Sequence, residues 1–166
     1  MGEEPRRSAR IVVGVDGSTT SRSAPAWAAR QTGLTGLTGL TGLTGLTGGS
    51  VDAVIAWQYP VGYGAPSAAV PDFDVAGNAR QAPAGAVTEV TAESPQVEIR
   101  QHVVQGHPAA VLLKAADSAD LLVVGNRGHG GFTEALLGSV SQHCVHHAPC
   151  PVVVVRAARP RPQAEP

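Results

Sequence analysis

Gly125-Asn126-Arg127-Gly128, followed after nine residues by Gly138-Ser139-Val140-Ser141, spaces glycines and hydroxyls as an anion site would need them. The apolar run Asp120-Leu121-Leu122-Val123-Val124 before this frame reads as a buried strand, and Val140 to Ala148 reads as a helix. A helix N-terminus offers N–H groups without intrahelical partners and the positive end of the helix dipole. Glycine lets the backbone approach a ligand closely and take φ > 0. Ser139 and Ser141 add hydroxyl donors. The implied ligand is a phosphate-bearing small molecule.

Several elements must position that frame. Arg10 to Asp16 is a short apolar run ending in an acid, a buried strand followed by a Gly17-Ser18 turn. Ala24 to Gln31 reads as a helix, with Pro25 tolerable if it falls in the first turn. Val51 to Trp57 is a second strand, Tyr59 to Asp74 a proline-bearing loop, and Val75 to Glu93 a helix weakened by Gly77, Pro83 and Gly85. Val97 to Val104 reads as a strand near a sheet edge, Ala109 to Ser118 as a helix, Leu121 to Gly125 as the fourth strand and Pro151 to Arg156 as the fifth. Strands alternating with helices predict an α/β fold, a single Rossmann-like domain with a five-stranded parallel sheet and helices on both faces. Ligands of such sheets bind beyond the carboxyl ends of the strands, where the strand order switches. Asp16 and the glycine frame both follow strands and so share that edge.

Thr32 to Leu46 repeats Thr-Gly-Leu five times and closes with Thr47-Gly48-Gly49. Glycine at every third place costs a helix roughly 1 kcal/mol each relative to alanine. A collagen-like helix fits the glycine spacing, but the tract is short and holds no proline. A flexible insertion over residues 32–49, on the edge opposite the glycine frame, is the expectation. The domain is expected over residues 9–156, between disordered tails at 1–8 and 157–166.

Composition narrows the function classes. The 166 residues suffice for one domain with a core, and the net charge is −1. One lysine stands against eleven arginines, with no basic patch interleaved with aromatics, so no nucleic-acid partner is expected. No apolar stretch reaches a membrane span, and Met1 to Arg10 lacks the apolar core of a signal peptide. The expectation is a cytoplasmic protein that meets no membrane. Two cysteines are too few for a disulfide scaffold.

Ile11-Val12-Val13-Gly14-Val15-Asp16-Gly17-Ser18, the Gly125/Gly128/Gly138-Ser139 frame and His147-Ala148-Pro149-Cys150-Pro151-Val152-Val153-Val154-Val155 together resemble the universal stress protein family. The resemblance covers roughly Arg10 to Arg156, and the G-x2-G-x9-G-[ST] spacing is similar to the signature of that family's ATP-binding branch. It implies an adenine nucleotide, ATP with or without Mg, at the carboxyl edge of an adenine nucleotide alpha hydrolase-like domain. Gly14, Val15 and Asp16 would meet the adenosine, and Ala56 would line the adenine pocket. Gly125, Arg127 and Gly128 would wrap the sugar and phosphates, with His129 and Gly130 in the same loop. Gly138, Ser139, Val140 and Ser141 would hold the phosphates. The resemblance also implies a homodimer through the last strand, Val152 to Val155. The Thr-Gly-Leu tract, Pro83 and Gly85 depart from the family pattern.

Plainer readings stand beside these. Asp16 binds through its carboxylate or simply caps the next turn. Arg127 neutralises a phosphate or is a surface loop residue. Trp27 and Trp57 are read as core, and His107 as a helix-start residue. His143, Cys144, His146, His147 and Cys150 have the types of a metal cluster, yet Cys150 lies past Pro149 and the cysteines lack Cys-x2-Cys spacing. They are read as helix-face histidines at a dimer or solvent surface and cysteines as small core residues, with no metal site. Phosphoryl transfer needs a positioned nucleophile and charge neutralisation. The loop from Gly125 to Ser141 carries one arginine and no lysine, which favours a stress-response binding module with no catalytic residue. A slow ATPase or other nucleotide-using enzyme, and a nucleotide-free protein–protein adaptor, are the alternatives.

Overall fold

A computed structural model describes residues 9–33, 49–58, 87, 88, 92, 97–126 and 137–156. Along the chain run β1 (Ala9–Gly14), α1 (Thr19–Gly33), β2 (Gly49–Trp57), β3 (Glu98–Gln105), α2 (Pro108–Ala116), β4 (Leu121–Gly125), α3 (Ser139–His147) and β5 (Val152–Val155). The five strands form one parallel sheet in the order β3-β2-β1-β4-β5. The chain leaves β1 toward β2 and returns on its other side as β4, so the switch in strand order falls between β1 and β4.

Alternation along the strands divides the core between two faces. Ile11, Val13, Val51, Ala53, Ile55, Leu121 and Val123 pack with Ala24, Ala28 and Ala29 of α1. Val12, Val54, Leu122 and Val124 turn the other way, onto Leu112 and Ala116 of α2 and Cys144 of α3. β4 is buried at every position, as a central parallel strand covered on both faces must be. β3 is an edge strand, largely exposed, as its mixed polar pattern predicts. Trp27 is half-buried against the α1-side core.

Two expectations are corrected. α1 begins at Thr19 rather than Ala24, because the turn at Asp16-Gly17-Ser18 already delivers the chain into a helix. Pro25 is therefore interior to α1 and fully buried, not a first-turn residue. A proline there lacks the N–H of one intrahelical bond, and its ring is absorbed by the core beneath. α1 also takes in Thr32 and Gly33, and β2 takes in Gly49. The rest of the Thr-Gly-Leu tract, residues 34–48, lies outside the described residues, as do the two tails and Pro83. Of the helix expected from Val75 to Glu93, Val87, Thr88 and Ala92 are described and helical, with Val87 in the α1-side core.

One polar cluster sits within the second core face. Asp52 of β2 is 2% exposed. It accepts a hydrogen bond from Arg10 Nε at 2.6 Å, and its other oxygen lies 3.2 Å from His102 Nε2. Arg10 also donates to the Ala115 carbonyl at 3.2 Å and to Ser118 Oγ, fastening the end of α2 to β1. Burial would push the Asp52 carboxyl up, but the hydrogen bonds and charges of Arg10 and His102 outweigh it and hold the group below its ordinary value.

Candidate functional site

The carboxyl edge of the sheet gathers the described residues of the expected site around the β1/β4 switch point. After β1 the chain turns at Asp16-Gly17-Ser18. Gly17 takes φ 84°, a conformation that L side chains rarely adopt, and Ser18 N–H donates to Asp16 Oδ1 at 2.9 Å. The turn-capping role expected of Asp16 is thus present, and the carboxylate remains exposed at the sheet edge. The Val15 side chain lies in the core and its N–H donates to the Val54 carbonyl at 3.0 Å. The space a Gly14 side chain would need is already filled: a Cβ there would lie 2.9 Å from Leu112 Cδ1. Glycine at this position answers first to the packing of α2. Ala56 is half-buried one residue before β2 ends.

On the other side of the switch point, β4 ends at Gly125 and Asn126 carries the chain away. Asn126 N–H donates to the Val155 carbonyl and its own carbonyl accepts from Gly138 N–H, both at 2.8 Å. The second contact draws the start of α3 against the end of β4. Gly138 is the N-cap of α3 and supplies no side-chain cap, and no acidic residue lies in the first turn. The N–H groups of Ser139, Val140 and Ser141 are those an α-helix leaves unpaired internally, and they point out of this end with the positive dipole. Ser139 is exposed, whereas the Val140 side chain packs on the core.

Ser141 behaves differently from the hydroxyl donor expected. It is 5% exposed and its Oγ donates to the Gly125 carbonyl at 2.5 Å. Its proton is committed to the backbone, so in this geometry Ser141 braces the first turn of α3 against β4 and offers a ligand its main-chain N–H. Arg127, Gly128, His129 and Gly130 lie outside the described residues.

Asn126 is a site residue beyond those the sequence pattern predicts. Its Oδ1 is buried and, among the described residues, has no hydrogen-bond partner. An unpaired buried acceptor is costly, and here it lies inside the glycine frame. Its place between Gly125 and Arg127 was the available signal.

The expected mixed cluster at the end of α3 resolves into two groups. Cys144 is fully buried, and burial pushes its thiol up to about 11. Cys150 is half-buried against the same core, and burial together with the Asp120 charge raises its thiol also. His143, His146 and His147 are exposed on the outer surface of α3. Among the described residues, no group of three or more His, Cys, Asp or Glu side chains is placed to hold a metal ion. Among the same residues, no helix is long and apolar enough to cross a membrane.

A doubly wound parallel sheet, with a helix N-terminus that lacks a side-chain cap against its switch point, defines the Rossmann-like α/β class. The family model described as universal stress protein family matches residues 8–156, and the chain belongs to that family. A universal stress protein of Mycobacterium tuberculosis is 30% identical over 169 residues, covering 98% of this chain and 54% of the relative. The chain therefore spans about half the length of this curated relative. Among solved structures, universal stress protein UspA from Lactobacillus plantarum superposes with a TM-score of 0.64 at 22% identity, over 90% of this chain and 99% of that one. A universal stress protein family protein from Arabidopsis thaliana, solved with AMP bound, gives a TM-score of 0.53 at 19% identity, over 94% and 97%.

Proposed function

We propose that this chain is an ATP-binding regulatory module of the stress response, which holds its nucleotide without turning it over efficiently. The observation that carries this reading is the uncapped N-terminus of α3 drawn against the end of β4 beside the switch point. Such a terminus is an anion site by geometry and dipole. The phosphates would lie on the N–H groups of Ser139, Val140 and Ser141, with Gly125, Arg127, Gly128, His129 and Gly130 around them. The adenosine would lie along Gly14, Val15, Asp16 and Ala56. The AMP bound to the Arabidopsis protein supports an adenine nucleotide in this fold. A magnesium ion would add charge neutralisation between the phosphates and the exposed Asp16 carboxylate. The loop from Gly125 to Ser141 holds one arginine and no lysine, which favours holding phosphates over transferring them.

A second copy of the chain is the expected protein partner. β5 is the last strand of the sheet, and Val152 to Val155 are all half-buried. An apolar edge strand of this kind is completed by pairing with another strand.

Ser139→Asp tests the phosphate placement. A carboxylate at the first position of α3 suits the helix dipole and preserves stability. It also sets a negative charge where the phosphates would lie. The expected result is ATP affinity reduced tenfold or more in calorimetric titration, with no loss of thermal stability. Unchanged affinity would remove the phosphates from α3. Steady hydrolysis by the parent protein on the order of 1 s⁻¹, an ordinary enzyme rate, would remove the binding-module reading.

A further inference from the structure

The outer surface of α3 carries a pair of side chains that the nucleotide reading does not use. His143 and His147 lie one helical turn apart, both exposed, with ring centroids 4.4 Å apart and planes tilted by 47°. His146 lies on the adjoining strip, its ring centroid 6.3 Å from that of His147. The helix contains no acidic residue, so neither imidazole is tied up by a carboxylate of its own element. Cys144, between them in sequence, points into the core.

We propose that His143 and His147 form a two-imidazole site for a borderline divalent cation of the zinc type. Histidines at i and i+4 share one helix face and can ligate one ion together. Two imidazoles on a tetrahedral ion, with metal–nitrogen bonds of about 2.0–2.1 Å, hold their ring centroids roughly 5 Å apart. The observed pair needs to open by less than about 1 Å to accept that ion, a change within side-chain rotation on an exposed surface. His147 lies in the last turn of α3, where carbonyls without intrahelical partners present the negative end of the dipole to a cation, and His143 lies one turn before it. Two protein ligands leave the other positions of a tetrahedral ion to water or to a group from a second molecule. Such an open site suits capture of a cation rather than a closed structural centre.

Titration of the full chain with zinc chloride, followed by calorimetry and by imidazole NMR resonances, tests the assignment. The expected result is one zinc per chain, with the His143 and His147 signals moving together. His143→Ala and His147→Ala should each weaken binding at least tenfold, while circular dichroism shows the fold retained. His146→Ala should change the affinity less than threefold. Cys150→Ala should leave binding intact, which separates the imidazole pair from the half-buried thiol. Absence of binding up to millimolar zinc would overturn the proposal. So would parent-like affinity in either pair variant, or loss of binding in His146→Ala or Cys150→Ala.

Discussion

Ser141→Ala separates bracing from ligand contact. The variant keeps the Cβ and removes the hydroxyl of a buried residue, bonded to the Gly125 carbonyl at 2.5 Å. A neutral hydrogen bond contributes about 0.5–1.5 kcal/mol net, and an acceptor left unpaired in a buried setting costs about 1–3 kcal/mol. The cavity left by one oxygen is small, so the expected loss is about 1–2 kcal/mol, or roughly 3–6 °C in Tm for a domain of this size. Nucleotide affinity should fall as well, because the first turn of α3 is no longer pinned to β4. Ser141→Thr retains the hydroxyl and should recover much of both losses. Denaturant unfolding and ATP titration of the three proteins provide the readouts. If Ser141→Ala binds ATP more weakly while its stability is unchanged, the hydroxyl serves the ligand directly and the bracing argument fails.

Two further outcomes follow from the packing. The Asp52 carboxyl is held below its ordinary value in the folded state, so the stability it contributes is present above the unfolded pKa of about 3.9 and is lost as pH falls below that through the folded value. Asp52→Asn should flatten the acid limb of the stability profile below about pH 4, and it should lower stability at pH 7 by about 2–3 kcal/mol, since Arg10 loses its charged partner while remaining partly exposed; an unchanged acid limb would disprove the coupling. Gly14→Val sets side-chain atoms against Leu112, whose Cδ1 would already lie 2.9 Å from a Cβ, so overpacking of about 1–3 kcal/mol is expected in denaturant unfolding, and a variant as stable as the parent would show that α2 has room to retreat.

The parts of the fold legible in the sequence were those that local pattern controls. Leu121 to Gly125 reads as a strand with the observed limits, because a central parallel strand is apolar at every position. The start of α1 was not legible from its alanines, which mark the strongest helix formers and not the first ones. Turn chemistry at Asp16 and Ser18 sets that boundary. The Arg10–Asp52–His102 cluster joins residues 42 and 50 positions apart, and no periodicity announces such a pairing. The candidate site was legible as a set of positions, because its residues follow strands or open a helix. The direction of each group was not. The Ser141 hydroxyl looks outward in a motif and points inward in the fold, toward a carbonyl 16 residues away.

That distinction orders the residues of α3 by what each can report. Ser139 is exposed at the end aimed at the switch point, so a charge introduced there by Ser139→Asp alters anion binding without touching the core. Ser141 is buried and tied to β4, so its removal moves stability and binding together. Cys144 is wholly buried among core residues, and its substitution speaks to packing alone. His143 and His147 lie on the outer surface, where alanine replaces no core contact and leaves the phosphate end intact. A helix of nine residues spans only about 13 Å, so its two ends remain close enough for each to feel the other's charge. Each ion is favoured separately by the helix dipole, and an anion at the first turn and a cation on His143 and His147 attract each other directly, so each should favour the other. Zinc affinity that rises when ATP is bound, measured with excess ATP accounted for as a chelator, would be the signature of that shared helix; ATP that leaves the chain's zinc affinity unchanged would show that the two ends act independently.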